Sequence, residues 1–402
     1  MIEVVDVAVW KHSSGGTYQM VGAATYTTAE FEVRARAEVG QFSLEIPAGQ
    51  QAAAFQPGRL VTSTFRGDTQ TWTVEPLETT YADDDTVKVT GLDAKSMIGW
   101  EVAVPTPTAT IPPNSGVMTG QGTQGNITGT AAKVIADIVT LNLKRRLIFD
   151  APPSAQLAWG AAGMRSRPRY ENLLEEVQRI ADRANLNVRF GLRISNDSAT
   201  SARLALWFEQ HRDLSAARVE LSPVDGSLES VTVTETPPTI THAIVGGKGE
   251  GVGQFMLMHS TEQSRQDAVK WGPRVRYIDG PETFDEQPLK DAAEDALLEG
   301  AATTTLTMEA VEPVSARAFE AFGAGDKFKV TLPGVDNEVV DSTSAIKFAD
   351  DGEGVQVSLI FGDPDAAVGE QADAADAQIV SAITKLRRRM QSLAINRKRG
   401  AV

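Results

Sequence analysis

From its first residues the chain alternates apolar and polar positions with the period of two that marks a half-buried strand. Phe31-Glu32-Val33-Arg34-Ala35, Gln41-Phe42-Ser43-Leu44-Glu45-Ile46 and Thr71-Trp72-Thr73-Val74-Glu75 carry the pattern, with polar turns between them. Arg66-Gly67-Asp68 and Asp83-Asp84-Asp85 fall where hairpin tips are expected, the second just before Val87-Lys88-Val89. Gly-Asp is ordinary turn chemistry, so the first triplet reads as a turn before it reads as a cell-adhesion signal. The aspartate triplet lacks the glycine and distal glutamate of a calcium loop. Residues 105–130, from Pro105-Thr106-Pro107 through Pro112-Pro113 to Gly120-Gln121-Gly122, have the composition of a crossover or linker.

The period then changes. A helix is predicted at 130–143, capped by Thr130, with Val134, Ile135, Ile138 and Val139 on one face. In a second helix Tyr170, Leu173, Leu174, Val177, Ile180, Ala181 and Ala184 form an apolar stripe, with Glu171, Glu175, Glu176, Arg179 and Arg183 expected to face outward. Strands are predicted at 187–192 and 203–208 about a Ser195-Asn196-Asp197-Ser198 turn, then at 230–234, 241–245 and 255–258. Leu289–Leu298 reads as a helix begun by Pro288 and ended at Gly300. Residues 304–308, 327–332, 339–341 and 355–360 return to β-structure, with Asp350-Asp351-Gly352 as a turn. In the last segment Ile379, Ile383, Leu386, Met390 and Leu393 are spaced four, three, four and three apart, the seam of a short coiled coil. A helix packing on its own subunit gives the same spacing.

The fold class that follows is a β-rich, multidomain α+β protein with two barrel-like domains, an inserted α/β domain and a C-terminal helix. Its expected divisions are 1–105, with strands near 219–234 available to complete the first barrel, 106–218 for the insertion, 219–365 for the second barrel with a helical insertion near 285–300, and 366–402 for the basic helix. A chain of 402 residues has room for several such units.

Charge sharpens this picture. The net charge is −15, yet from residue 377 onward Lys385, Arg387, Arg388, Arg389, Arg397, Lys398 and Arg399 stand without a carboxylate. Residues 1–376 therefore hold 31 basic against 53 acidic residues, a balance of −22. So acidic a body repels nucleic-acid phosphates, and only the tail, with Arg387, Arg388, Arg389, Arg397, Lys398 and Arg399, is a candidate partner-binding segment. A solvated helix end at its macrodipole is the plainer reading of the same residues. The start of the chain lacks the basic and apolar regions of a signal peptide, and no apolar run nears the ~20 residues of a membrane span. Cytoplasmic synthesis without stable membrane insertion is expected.

Candidate chemistry narrows quickly. With no cysteine there is no disulfide, thiolate metal site or cysteine nucleophile. Gly246-Gly247-Lys248-Gly249-Glu250-Gly251 follows an apolar strand, but it has neither phosphate-loop register nor a helix after it, so a hairpin turn is expected. His12, His211, His242 and His259 lack metal-ligand spacing, and no serine elbow is present. Trp10, Trp72, Trp100, Trp159, Trp207 and Trp271 are dispersed, as core or interface anchors are. A spatial pair of carboxylates, as in a glycosidase, leaves no sequence signature and stays open. No cofactor, metal or catalytic residue is assigned, and the expectation is a structural protein and not an enzyme.

Four stretches taken in order resemble the tail-tip hub proteins of siphoviruses, especially those of actinobacteria. They are Val87-Lys88-Val89-Thr90-Gly91-Leu92-Asp93 leading to Ile98 and Val102–Pro105; Tyr170-Glu171-Asn172-Leu173-Leu174-Glu175-Glu176-Val177 with Val188-Arg189-Phe190; Ala243–Gly251; and Ala324-Gly325-Asp326-Lys327-Phe328-Lys329-Val330 with Val357–Gly362. The resemblance implies a homotrimer of paired barrels at the virion tail tip. Such a hub would close the tail tube against a distal tail protein or tube ring, meet the tape-measure protein and anchor fibres or receptor-binding proteins for host attachment. It also implies no catalytic residues in the core. A glycan-binding or glycan-cleaving tail protein and the hub of a prophage-derived injection machine are the alternatives.

Overall fold

The computed structural model describes residues 4–362, apart from 48, 50–51, 75–85, 105–126, 145, 169, 196–197, 216–219, 222–227, 250, 313–316 and 332–337. The Asp83–Asp85 turn, most of the Pro/Thr-rich crossover, the heptad seam and the whole basic tail lie outside these residues.

Seven strands come from the first hundred residues: β1 (Asp6–His12), β2 (Thr17–Ala24), β3 (Thr28–Arg34), β4 (Gln41–Pro47), β5 (Leu60–Phe65), β6 (Asp68–Val74) and β7 (Thr86–Asp93). Their alternation sets which face is buried: Phe42, Leu44 and Ile46 of β4 and Val87 and Val89 of β7 point inward. The β5–β6 connection is a two-residue turn in which both Arg66 (φ 50°) and Gly67 (φ 81°) are left-handed, the geometry whose twist matches a hairpin.

The middle of the chain supplies β8 (Ile127–Gly129), α1 (Ala131–Leu143), β9 (Phe149–Asp150), β10 (Met164–Ser166), α2 (Leu173–Ala184), β11 (Leu186–Ser195), β12 (Ser198–Gln210) and β13 (Glu220–Leu221). Thr130 caps α1 as expected, and Val134, Ile135, Ile138 and Val139 are all buried. α2 is shorter than its apolar stripe. Asn172 caps it, its Oδ1 accepting from Leu174 N at 2.9 Å, and Asn185 ends it in the left-handed region. Tyr170 falls outside the helix because residues 170–173 pair with 101–103 as an extended ribbon. Glu176, expected on the solvent face, is buried: Ser166 Oγ donates to it and Arg179 binds it through both Nε and Nη2.

The remaining elements are β14 (Leu228–Thr236), β15 (His242–Gly246), β16 (Met256–His259), α3 (Glu262–Trp271), β17 (Val275–Asp279), α4 (Glu286–Glu299), β18 (Thr303–Val311), β19 (Lys327–Thr331), β20 (Glu338–Asp350) and β21 (Val355–Phe361). The chain divides into two compact units, one of residues 1–230 with 308–402 and the other of residues 231–307.

The first unit is built on one long sheet. Among the described residues its strand path passes through β11-β12-β2-β1-β5-β6-β7-β4-β3-β20-β21-β18 without returning on itself. The register joins distant parts of the chain: β3 pairs β20 with Phe31 opposite Phe348. These two rings stack at 5.1 Å between centroids, and Trp72, Phe42 and Phe65 complete the cluster. A second core lies where α1 and α2 cover β11 and β12, with Ile135, Ile138, Val177, Ile180, Val188 and Phe208 at its centre. Burial of each such side chain is worth roughly 1.5–3 kcal/mol.

The second unit is a three-stranded sheet in the order β16-β15-β17, β15 being antiparallel to β16 and parallel to β17. Its fully buried apolar core is Ile240, Ala243, Val245, Leu289, Ala293 and Leu297, where α4 covers one face. α4 begins before Pro288, with Asp285 as its cap. α3 and β17 have no counterpart among the elements predicted from sequence. α3 (EQSRQDAVKW) buries only Ser264 and Asp267, so it shows no apolar stripe; a capping box between Thr261 and Ser264 starts it.

Candidate functional site

Within the first unit a polar cavity of about 310 Å³ opens between β3, β6, β11, β12 and the segment before β19. Arg189 of β11 reaches it from a mostly buried position. Its Nη2 donates to both Asp68 oxygens at 2.9 and 3.0 Å, its Nη1 to Gln70 at 2.6 Å, and Glu209 lies 3.3 Å from its Nε. Burial works to discharge this guanidinium, but the Glu209 and Asp68 carboxylates outweigh burial and keep it charged well above its ordinary range. Asp326 accepts from Arg212 Nε at 2.9 Å and from the backbone of Arg212 and Gly323. Asn187 ties β11 to Arg36 N and Ala324 O. Asp68, Glu209 and Asp326, the three carboxylates lining the cavity, each contact a guanidinium, an arrangement that locks strands together.

The RGD triplet belongs to this network. Arg66 is held by both oxygens of Glu312, with Nη2 to Oε2 at 2.9 Å, and Asp68 is the Arg189 partner. The triplet is a hairpin tip engaged inside the molecule, as its turn chemistry predicts.

The histidines are apart. His12 meets Tyr18 edge-on, His242 Nδ1 lies 2.9 Å from Thr241 Oγ1, and His259 lies 3.4 Å from Glu294. His211 is pushed down to about 4, first by burial and then by the nearby Arg36 charge. No cluster of metal-ligating residues occurs among the described residues. The glycine-rich stretch joins antiparallel β15 to β16, with Gly247 N donating to Phe255 O at 2.7 Å. Trp10 and Trp72 are core residues, their Nε1 atoms donating to Thr62 and Ser63, whereas Trp100 is exposed. Among the described residues no helix is long and apolar enough to cross a membrane.

The other candidate surface is in the second unit. Ala243, Val245, Leu257 and Ile278 point to α4, so the opposite parity, Ile244, Met256, Met258, Val275 and Tyr277, lines the other face of the sheet. That face is open: Met258 is 61% exposed, Val275 57%, Tyr277 50% and Met256 46%. Tyr277 lies over Gly246, where a Cβ would come within 2.2 Å of its hydroxyl. The strands at 241–245 and 255–258 were readable in the sequence, but not β17, nor that only one face would be covered.

Comparison with known proteins places this geometry. No curated protein sequence matches the chain. In fold it is similar to the 43 kDa tail protein of prophage MuSo2 from Shewanella oneidensis, at TM-score 0.51 and 14% identity, over 90% of this chain and 99% of that one. It is similar to the tail protein from Neisseria meningitidis MC58 at TM-score 0.50 and 13% identity, over 90% and 97% of the two chains. The family of the Siphovirus ReqiPepy6 Gp37-like protein matches residues 7–363, nearly all of the sheet and both units, and the chain belongs to that family.

Proposed function

We propose that the chain is the hub subunit of a siphovirus tail tip: a homotrimer that closes the distal end of the tail tube, contacts the tube ring and tape-measure protein, and anchors fibre or receptor-binding proteins. The observation that carries this reading is the family match across residues 7–363. The whole-length likeness to a 43 kDa tail protein supports it. In this reading strands of residues 1–105 and of 219–365 form two barrel-like domains, residues 106–218 are the inserted α/β domain, and the protein works by assembly without catalysis. Ile379, Ile383, Leu386, Met390 and Leu393 form a trimer seam, and Arg387, Arg388, Arg389, Arg397, Lys398 and Arg399 meet an acidic partner.

The test is native mass spectrometry of the purified full chain at micromolar concentration, with gold-labelled antibody on intact virions. A trimer, and label confined to the tail tip, are expected. A monomer at every concentration, or label along the tube or on the head, would overturn the reading. Ile383→Asp with Leu386→Asp should weaken the trimer while leaving the melting of the folded units unchanged.

A further inference from the structure

The sheet of the second unit has two uncovered edges as well as an uncovered face. β16 and β17 are its terminal strands, and among the described residues neither has a strand beyond it. Open edges are normally blunted, because their unpaired N–H and C=O groups template pairing with another chain. The first unit does this at β11, where Val188 N donates to Arg36 O at 2.9 Å and Leu192 N to Thr71 Oγ1 at 2.8 Å. β17 has no proline, lysine or bulge within Val275–Asp279, and its only charges are Arg276 and Asp279. Four of its five residues are exposed.

We infer that β17 of one copy pairs, antiparallel, with β16 of the next, so that the second unit is a self-assembly element; this rests on the trimeric-hub reading above. Direction is the first argument. β17 runs parallel to β15 and β16 antiparallel to it, so when copies repeat around a rotation axis with their β15 strands aligned, β17 meets the following β16 as an antiparallel pair. Such a head-to-tail contact uses two different edges and forms a closed ring when the rotation closes.

Register is the second. With Val275 opposite Met258 of the next copy, Tyr277 falls opposite Met256 and Ile278 opposite Phe255. Three apolar pairs then form across the joint, and a one-residue slip would oppose side chains of unlike character. On the α4 side Arg276 comes diagonally beside His259, whose neighbour is Glu294, so a cation meets a carboxylate.

Area is the third. The exposed parts of Met256, Met258, Val275 and Tyr277 amount to on the order of 400 Å², the size of the largest apolar patch on a typical monomer, which is often functional. Edge pairing covers the parts of these side chains that meet across the joint, because they stand perpendicular to the sheet while the strands pair in its plane. Tyr, Met and Arg are also the residues enriched in interface cores.

Because the chain has no cysteine, introduced thiols report without background. Val275→Cys and Met258→Cys chains are mixed, co-assembled and oxidised. A second mixture of Arg276→Cys and Leu257→Cys covers the other class of ladder position, since only one class brings Cβ atoms closest. A disulfide-linked dimer is expected from at least one mixture and from none of the single variants alone. Tyr277→Asp should raise the concentration for half-assembly at least about tenfold. The more exposed Val275→Glu repeats this should Tyr277→Asp lose its native circular dichroism. A trimer that gives no linked dimer in either mixture and is insensitive to both substitutions would overturn the pairing and leave the hub reading standing. A chain that stays monomeric removes both.

Discussion

The two units bury their sheets differently. In the first, helices α1 and α2 cover the β11–β12 end, an aromatic cluster fills the β3–β20 junction, and the terminal edge strand is sealed by a backbone carbonyl and a threonine hydroxyl. In the second, one helix covers one face, six small or aliphatic residues make the core, and the other face presents Met258 and Tyr277 to solvent. A surface that costs solubility as a monomer is retained where it is covered in an assembly. The first unit covers its β11–β12 end with its own helices, whereas one face of the second unit's sheet stays exposed.

The most severe way to test that contrast is to open the first core. Phe31→Ala removes a ring that stacks on Phe42 and Phe348 and touches Trp72. A loss of about 3–5 kcal/mol is expected, read from the urea midpoint. Glu312→Ala comes next. It leaves the Arg66 guanidinium, whose side chain is 7% exposed, without its carboxylate. About 3 kcal/mol should be lost, and the β5–β6 hairpin amides should exchange faster.

Leu289→Ala sharpens the comparison from the other side. The residue is fully buried in the small core, so about 2–3 kcal/mol is expected. Hydrogen exchange should show the loss confined to residues 231–307; equal loss in β3 and β20 would mean the units unfold as one.

The smallest effect is that of pH on the first unit. His211 titrates near 4 in the fold against about 6.5 unfolded, because burial, Arg36 and Lys327 oppose its charge more than Asp326 favours it. The unfolded chain therefore binds more protons between those values, and stability falls as pH drops from about 6.5 towards 4. Allowing for its partial exposure the loss is ~1–2 kcal/mol. His211→Gln should flatten that slope in melts taken across the range.

Local pattern was legible wherever local physics decides it. Alternation placed β3, β4 and β6, the cap and apolar stripe placed α1, and turn chemistry identified both the Arg66-Gly67 tip and the glycine-rich hairpin. α3 was not legible, since a polar helix started by a capping box has no stripe. Nor was Glu176, whose position on α2 is charged in sequence and becomes buried only because Ser166 and Arg179 converge on it.

By itself the sequence determined many of the strands and the helices with an apolar stripe, the lack of thiol chemistry and the contrast of acidic body with basic tail, because these depend on residues near one another along the chain. Only the tertiary structure decided that Asp68 meets Arg189, that Phe31 meets Phe348, and that one face of the small sheet stays bare. Alternation shows that a strand has two faces, but whether anything covers the second depends on packing between residues far apart in the chain, which no local pattern encodes.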